Sequence, residues 1–229
     1  MKYTYDYPRP MVTVDIILFA WVDGRLVVLL VKRGSAPYRG YWALPGGFVE
    51  EKEALEQAAR RELEEETSLK VVSLEQLYSF GNPGRDPRGH VVSVVHFALV
   101  NAEQVRRAVA GSDASGLQWF PMKRLPRLAF DHKEILAYGL ARLRNKLEYT
   151  TMGFQFLARR FTLTELQQVY EAVLGRRIDK RNFRKKILSS KLLRVLPERQ
   201  KNVRHRPARL HTLVARRFDK LNKGMVFSF

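Results

Sequence analysis

Met11 to Val22, "MVTVDIILFAWV", alternates and is rich in β-branched residues, so it reads as a strand. Asp23-Gly24 is a hairpin turn signal, and Arg25–Val31 is the returning strand. A loop rich in glycine, proline and aromatics, "KRGSAPYRGYWALPGG", follows. From Glu53 to Thr67 the residues are good helix formers, with Leu55, Ala58, Ala59 and Leu63 on one face. Two further strands are expected near Lys70–Phe80 and His90–Val100, joined by "GNPGRDPRG", with a short one at Leu117–Phe120. Ile135, Leu136, Leu140 and Leu143 give helical spacing to His132–Leu147.

The pattern changes beyond Thr150. Thr162 and Glu165 form a capping box, Phe161 and Leu166 the accompanying staple, and Gly175 the stop of one helix. Asp179 then caps a second helix, "KRNFRKKILSS". In it Phe183 and Ile187 take the core side, while Lys180, Arg181, Arg184 and Lys185 are expected to face outward. Two short extended runs follow around a basic turn that contains Arg204 and Arg206. These changes place a domain boundary near Thr150, giving domains 1–149, with a connector helix at its end, and 150–229. No internal repeat is visible.

Composition narrows the classes. The chain has 229 residues, 45% apolar, and no cysteine, so disulfide frameworks and thiolate metal sites are excluded. The first ten residues lack the apolar run of a signal peptide, and the most apolar early stretch is too short, and broken by Asp15, to cross a bilayer. A soluble cytoplasmic protein without a membrane partner is the expectation. Charge adds more. The net of +18 divides into −1 for residues 1–120 and +19 for 121–229. A polyanion is the natural partner of the second half; the plainer alternative is a basic surface that merely aids solubility.

The acidic helix carries the candidate chemistry. Glu62, Glu65 and Glu66 stand at i, i+3 and i+4, which places their carboxylates on one surface. Like charges so near one another repel, and a divalent cation removes that penalty; oxygen ligands suit Mg²⁺ or Mn²⁺. Arg61 and Glu53 add internal compensation. Gly46 and Gly47 ahead of the helix allow backbone to approach a phosphate. An exposed, glutamate-rich helix face is the alternative. The spacing favours the first. Gly47, five residues, Glu53, seven residues, Arg61-Glu62-Leu63, one residue, Glu65-Glu66, two residues, Leu69 resembles the Nudix box, with one departure: Ser68 stands where the box has glycine.

That resemblance implies an α/β (α+β) Nudix fold, a mixed sheet sandwiched by helices. It also implies Glu62, Glu65 and Glu66 as metal ligands, Glu53 as an auxiliary acid and Arg61 as its structural partner. Glu65, Glu62, Arg61 and Glu53 are thereby the catalytic candidates. Outside the box Asp113 is the only, and weak, candidate for a general base. Arg85, Asp86 and Arg88 in the "GNPGRDPRGH" loop could recognise phosphate or ribose, and Arg33 joins them as a ligand-binding candidate. The loop, like "LAFDH" at Leu128–His132, resembles that of ADP-ribose-type members. Tyr41 and Trp42 could stack a base or pack in the core, and core packing is the expectation for Trp42.

Helix, turn, basic helix and basic hairpin form the layout of a winged helix, whose second helix enters the major groove of double-stranded DNA. Including "RNFRKKI" and "RPARL", residues 8–215 resemble the Nudix-related transcriptional regulators of NAD metabolism. The resemblance implies a homodimer that senses an ADP-ribose-like nucleotide and binds a palindromic operator through Lys180, Arg181, Arg184, Lys185, Arg204 and Arg206. A Mg²⁺-dependent ADP-ribose pyrophosphatase with an appended winged helix is the competing reading, since the box is nearly intact. The tail "KLNKGMVFSF" has no assigned role.

Overall fold

The computed structural model describes residues 4–111, 114–201 and 207–214. Asp113, Arg204, Arg206 and the C-terminal tail lie outside the described residues. Two compact units emerge. One contains the chain through Phe19, Val27–Leu99 and Arg106–Gly139; the other contains Ala20–Leu26, Val100–Val105 and the chain from Leu140.

A seven-stranded sheet forms from β1 (Met11–Val22), β2 (Arg25–Arg33), β3 (Trp42–Ala43), β4 (Gly46–Phe48), β5 (Glu75–Phe80), β6 (Val91–Val100) and β7 (Ala114–Pro121). Its path runs β3-β2-β1-β6-β5, with β4 beside β1 and β7 beside β2. Strands β1, β2 and β6 are buried almost continuously, which is why their sequences read as apolar runs rather than strict alternation. Edge strand β5 alternates, and leaves Tyr78 exposed.

Helix α1 (Leu55–Thr67) buries Ala58, Ala59 and Leu63 as the spacing requires. It starts two residues later than the helix-forming run suggests, because Glu53 is engaged elsewhere: its carboxylate accepts the Glu50 N–H at 3.1 Å and two bonds from Arg61. Gln57 Oε1 accepts the N–H of the capping residue Ala54 at 3.1 Å. At the other end Ser68 adopts the left-handed conformation, φ 58°, that the box glycine would take, and its N–H reaches Glu64 O at 2.9 Å. Gly111 N–H and Val109 N–H bond the carbonyls of Glu66 and Thr67, each at 3.0 Å, so the exit of α1 is pinned from outside.

Several elements differ from the expected ones. Strand β5 begins at Glu75 rather than Lys70, because Leu69 and Val71 are buried as anchors and Arg60 holds Val71 O at 2.7 Å. The short strands β3 and β4 lie inside the expected loop, and β7 extends further than its apolar core. Helix α2 (Ala102–Arg107) was not expected, although Asn101 caps it by accepting from Glu103 N and Gln104 N. Helix α3 (His132–Tyr149) contains the dividing point between the units.

In the second unit a 3-10 turn (Met152–Phe156) precedes α4 (Leu163–Leu174) and α5 (Lys180–Ser189). The Thr162–Glu165 capping box forms in both directions, at 3.1 and 2.7 Å, and Gly175 ends α4 with φ 72°. Asp179 caps α5 at 2.8 Å. Tyr170 and Phe183 meet edge to face between the two helices. The wing is the antiparallel pair β8 (Leu193–Arg199) and β9 (Arg209–Leu213), tied to Phe161 by reciprocal backbone bonds with His211 at 3.1 and 2.7 Å.

Because Ser68 holds a left-handed φ that glycine adopts freely, Ser68→Gly is expected to raise stability by about 1 kcal/mol. Chemical denaturation of the two proteins checks this; an unchanged or lower stability contradicts it.

Candidate functional site

The box is organised around one guanidinium. Arg61, on α1, grips Glu53 with Nε and Nη2, both at 2.9 Å. Its Nη1 donates to Glu62 Oε1 at 2.8 Å and Glu65 Oε2 at 3.2 Å, and Nη2 also reaches Phe48 O at 3.1 Å. The Glu53 bond holds the Arg61 pKa above its ordinary value and the Glu53 pKa below its own. One side chain therefore fastens the loop ahead of α1, the end of β4 and two box glutamates to the same helix.

Glu66 turns away from this hub. Its Oε2 accepts the Gly46 N–H at 3.0 Å. Burial, with Glu62 and Asp15 nearby, pushes its pKa up to about 7 despite that bond. Burial also raises Glu62, against the opposing pull of Arg61. The three carboxylates consequently do not converge as expected from i, i+3, i+4 spacing. Among the described residues no three acidic or histidine side chains are grouped to hold an ion together. Their donor chemistry nevertheless fits Mg²⁺ or Mn²⁺: two partly buried carboxylates with raised proton affinity are acids short of a cation.

The glycines before α1 answer to close packing. A Cβ at Gly46 would collide with Val14 O, and one at Gly47 with the Glu62 carboxylate. Gly46 N–H is bonded to Glu66 Oε2, and both glycines line the cavity beside the box.

Beside the box lies a cavity of about 80 Å³, lined among others by Asp15, Arg33, Gly46, Arg85, Arg88 and Phe130. Arg85 is almost wholly buried and is clamped by Asp131 through Nε and Nη2, at 2.8 and 2.6 Å. Burial works against its charge, but Asp131 and Asp15 hold its pKa above the ordinary value. Asp86 holds Arg88, at 3.0 and 2.6 Å, and stays below the usual carboxylate range although burial opposes this. Thus the loop aspartate orients the second arginine, while the first takes its partner from "LAFDH". The Arg88 guanidinium sits 4.9 Å from the Phe48 ring and 5.5 Å from that of Phe130. Arg33 lies 4.9 Å from Phe130 and donates from Nε to Pro37 O at 2.7 Å. It has no carboxylate within ion-pair distance among the described residues; burial and then Arg88 lower its pKa.

Behind the cavity, Asp15 accepts from Ser93 Oγ and faces His132 Nε2 at 3.5 Å. His132 Nδ1 accepts the Leu44 N–H at 2.9 Å, and burial lowers its pKa, which makes it a neutral Nε2–H tautomer. Asp15 and Phe130 were missed as site residues. The signal for Asp15 was present, as a lone acid inside a buried strand; for Phe130 it lay only in the resemblance of "LAFDH", which did not single that residue out. Trp42 packs edge to face on Phe120 with centroids 4.7 Å apart, as expected, and Tyr41 packs beside Val31, Ala43 and Ala129.

In the winged unit Phe183 and Ile187 bury one side of α5, and Lys180, Arg181 and Lys185 are exposed. Arg184 corrects the expectation. It is only partly exposed, with Nε shielded from solvent and Nη2 3.4 Å from Thr164 Oγ1 at the start of α4, because the i+1 position after Phe183 flanks the helix's buried side. Among the described residues no helix is long and apolar enough to cross a membrane.

Comparison with known proteins agrees with both units. The NUDIX domain model matches residues 9–139, and the NrtR DNA-binding winged helix domain model matches 153–213. The "ADPR responsive transcriptional repressor NtrR" of Acinetobacter baylyi is 38% identical over 218 residues, covering 93% of this chain and 86% of that protein. The ADP-ribose pyrophosphatase of Methanocaldococcus jannaschii is 45% identical over 132 residues, 57% of this chain and 73% of that one. NrtR of Shewanella oneidensis, solved with a 27mer DNA, superposes with TM-score 0.80 at 36% identity, covering 93% of this chain and 97% of that one. A box fastened by Arg61, an arginine-lined cavity beside it and a capped basic helix with a wing thus have one family in common: the chain belongs to the Nudix family, in the branch that carries an NrtR winged helix.

Proposed function

We propose that this protein is a transcriptional repressor whose Nudix unit binds ADP-ribose or a related nucleotide diphosphate and whose winged helix binds operator DNA. The observation that carries the reading is the convergence of Arg33, Arg85 and Arg88 on one small cavity, with no carboxylate within ion-pair distance of Arg33 among the described residues. Guanidinium forks suit phosphate oxygens, and buried Asp86 and part-buried Asp131 fix two of the three forks in place before a ligand arrives. A cavity of this size takes a phosphate-sized group, leaving the remainder of a nucleotide at its mouth. In the other unit Lys180, Arg181 and Lys185 stand free for the major groove. The working form is a homodimer on a palindromic site, in the cytoplasm beside the DNA it reads. Nucleotide binding shifts the balance between DNA-competent and incompetent arrangements.

A second reading is favoured by a specific feature: Ser68 takes the left-handed turn that glycine takes in the box, so the departure leaves α1 properly ended. Mg²⁺ or Mn²⁺ held by Glu62, Glu65 and Glu66 would supply a Lewis acid and a more acidic bound water. Arg61 keeps Glu62 and Glu65 oriented, Glu53 keeps Arg61 in place, and Arg85 and Arg88 hold the substrate's phosphates. Slow hydrolysis of ADP-ribose alongside sensing is then expected.

Three outcomes test these proposals. Affinity for upstream duplex DNA should fall steeply with salt and be lost in an Arg181→Glu, Lys185→Glu variant; undiminished binding would remove the recognition-helix assignment. Mg²⁺-dependent loss of ADP-ribose, if present, should vanish in Glu65→Gln and Glu66→Gln, and turnover persisting in both would place the chemistry elsewhere. Finally, a carboxyl whose folded pKa is raised stabilises the fold below its unfolded pKa and loses that contribution as pH rises through the folded one. In metal-free buffer the stability of the wild type relative to Glu66→Gln should therefore decline between about pH 4.5 and 7, by on the order of 3 kcal/mol. Parallel stability–pH curves would contradict this environment for Glu66.

A further inference from the structure

Of the four described basic residues expected to touch DNA, Lys180, Arg181 and Lys185 are exposed and Arg184 stands apart. Its side chain lies back along the protein instead of projecting: Nε is shut off from solvent and Nη2 is 3.4 Å from Oγ1 of Thr164, an exposed residue in the first turn of α4. Three elements meet here, since His211 of β9 feels the Arg184 charge as well; burial first, then Arg184, lowers the His211 pKa and leaves that ring neutral. No carboxylate lies within ion-pair distance of Arg184 among the described residues. The acids of the surrounding elements are occupied. Glu165 accepts from Thr162 N and Oγ1, Glu171 from Gln167 and Ile178 N, and Asp179 from Asn182 N. A half-buried cation without a counter-charge, in a unit of strongly positive charge, is incomplete until an anion reaches it.

Resting on the DNA-binding reading above, we propose that Arg184 and Thr164 together seat one phosphate of the DNA backbone and take no part in reading bases. The guanidinium leans toward α4, whereas Arg181 and Lys185 lie on the exposed face of α5. The Arg184–Thr164 contact is itself solvent-exposed, at the joint between the two helices. A phosphate bound there fixes the depth and angle of α5, so that Arg181, Lys185 and the exposed Asn182 meet base edges. Thr164 is a positioning residue that the basic-residue pattern could not reveal.

The test is the salt dependence of binding by the full chain to two duplexes of equal length, one selected by the wild-type protein from genomic fragments and one of random sequence. In Arg184→Ala the slope of log K against log salt should lessen by about 0.9, one phosphate contact, on both duplexes. Affinity should fall by the same factor for each, leaving the selected-to-random ratio unchanged. Arg181→Ala should instead lower that ratio. Thr164→Asp, a surface change that places a carboxylate on the guanidinium, should reproduce the Arg184→Ala result without touching the core, which guards against misfolding of the arginine variant. An unchanged slope in both variants, or a changed ratio in either, overturns the phosphate seat while leaving DNA binding intact. Failure of the wild type to bind either duplex at low salt would overturn the DNA reading itself, and this proposal with it.

Discussion

The acidic box depends on the four side-chain and backbone partners of Arg61. Without a cation at its centre, Glu53, Glu62 and Glu65 would repel one another across the start of α1 and the end of β4. With it, a loop, a strand end and a helix become one rigid piece. Arg61 also explains why the expected triad of carboxylates does not converge: it draws Glu62 and Glu65 to itself, while Glu66 is drawn to the Gly46 N–H. Arg61 thereby offsets part of the box's negative charge and leaves Glu66 outside that compensation. A divalent ion would compete with Arg61 for Glu62 and Glu65 and with a proton for Glu66.

The same economy of charge recurs at the cavity. Each of Arg85 and Arg88 is fixed by a buried or part-buried aspartate, so neither must be ordered by its ligand, and Arg33 is left without a carboxylate in ion-pair reach among the described residues. Neutral His132 and the Asp15–Ser93 contact fill the space behind without adding positive charge. In the winged unit, where cations far outnumber acids, Arg184 is a part-buried guanidinium with no carboxylate within ion-pair distance among the described residues. Each unit thus keeps a guanidinium without an ion-pair partner where an anion is to arrive.

Much of this was legible in the sequence because local rules decided it. The caps at Thr162 and Asp179, the stop at Gly175 and the helix face of Leu63 depend on neighbours a few residues away, and each formed as read. What was not legible depends on distant partners. Strands β3 and β4 are too short to show a period and exist because β2 and β1 offer edges to them. The later start of α1 follows from Arg61 claiming Glu53. The partner of Arg85 is Asp131, 46 residues on, and no spacing rule links the two. Arg184 looked like any other outward cation until its neighbours on α4 and β9 were placed beside it.

The central claim is that one ligand and one duplex are bound by the same chain with coupled free energies. Thermodynamic linkage requires that if ADP-ribose alters DNA affinity by some factor, DNA alters ADP-ribose affinity by the same factor. Calorimetric titration of ADP-ribose into the full chain, alone and saturated with its selected duplex, reads that factor directly. A dissociation constant that differs between the two titrations by the factor seen for DNA supports the account. Identical constants would mean that nucleotide binding and DNA binding ignore each other, and the sensing role would fall.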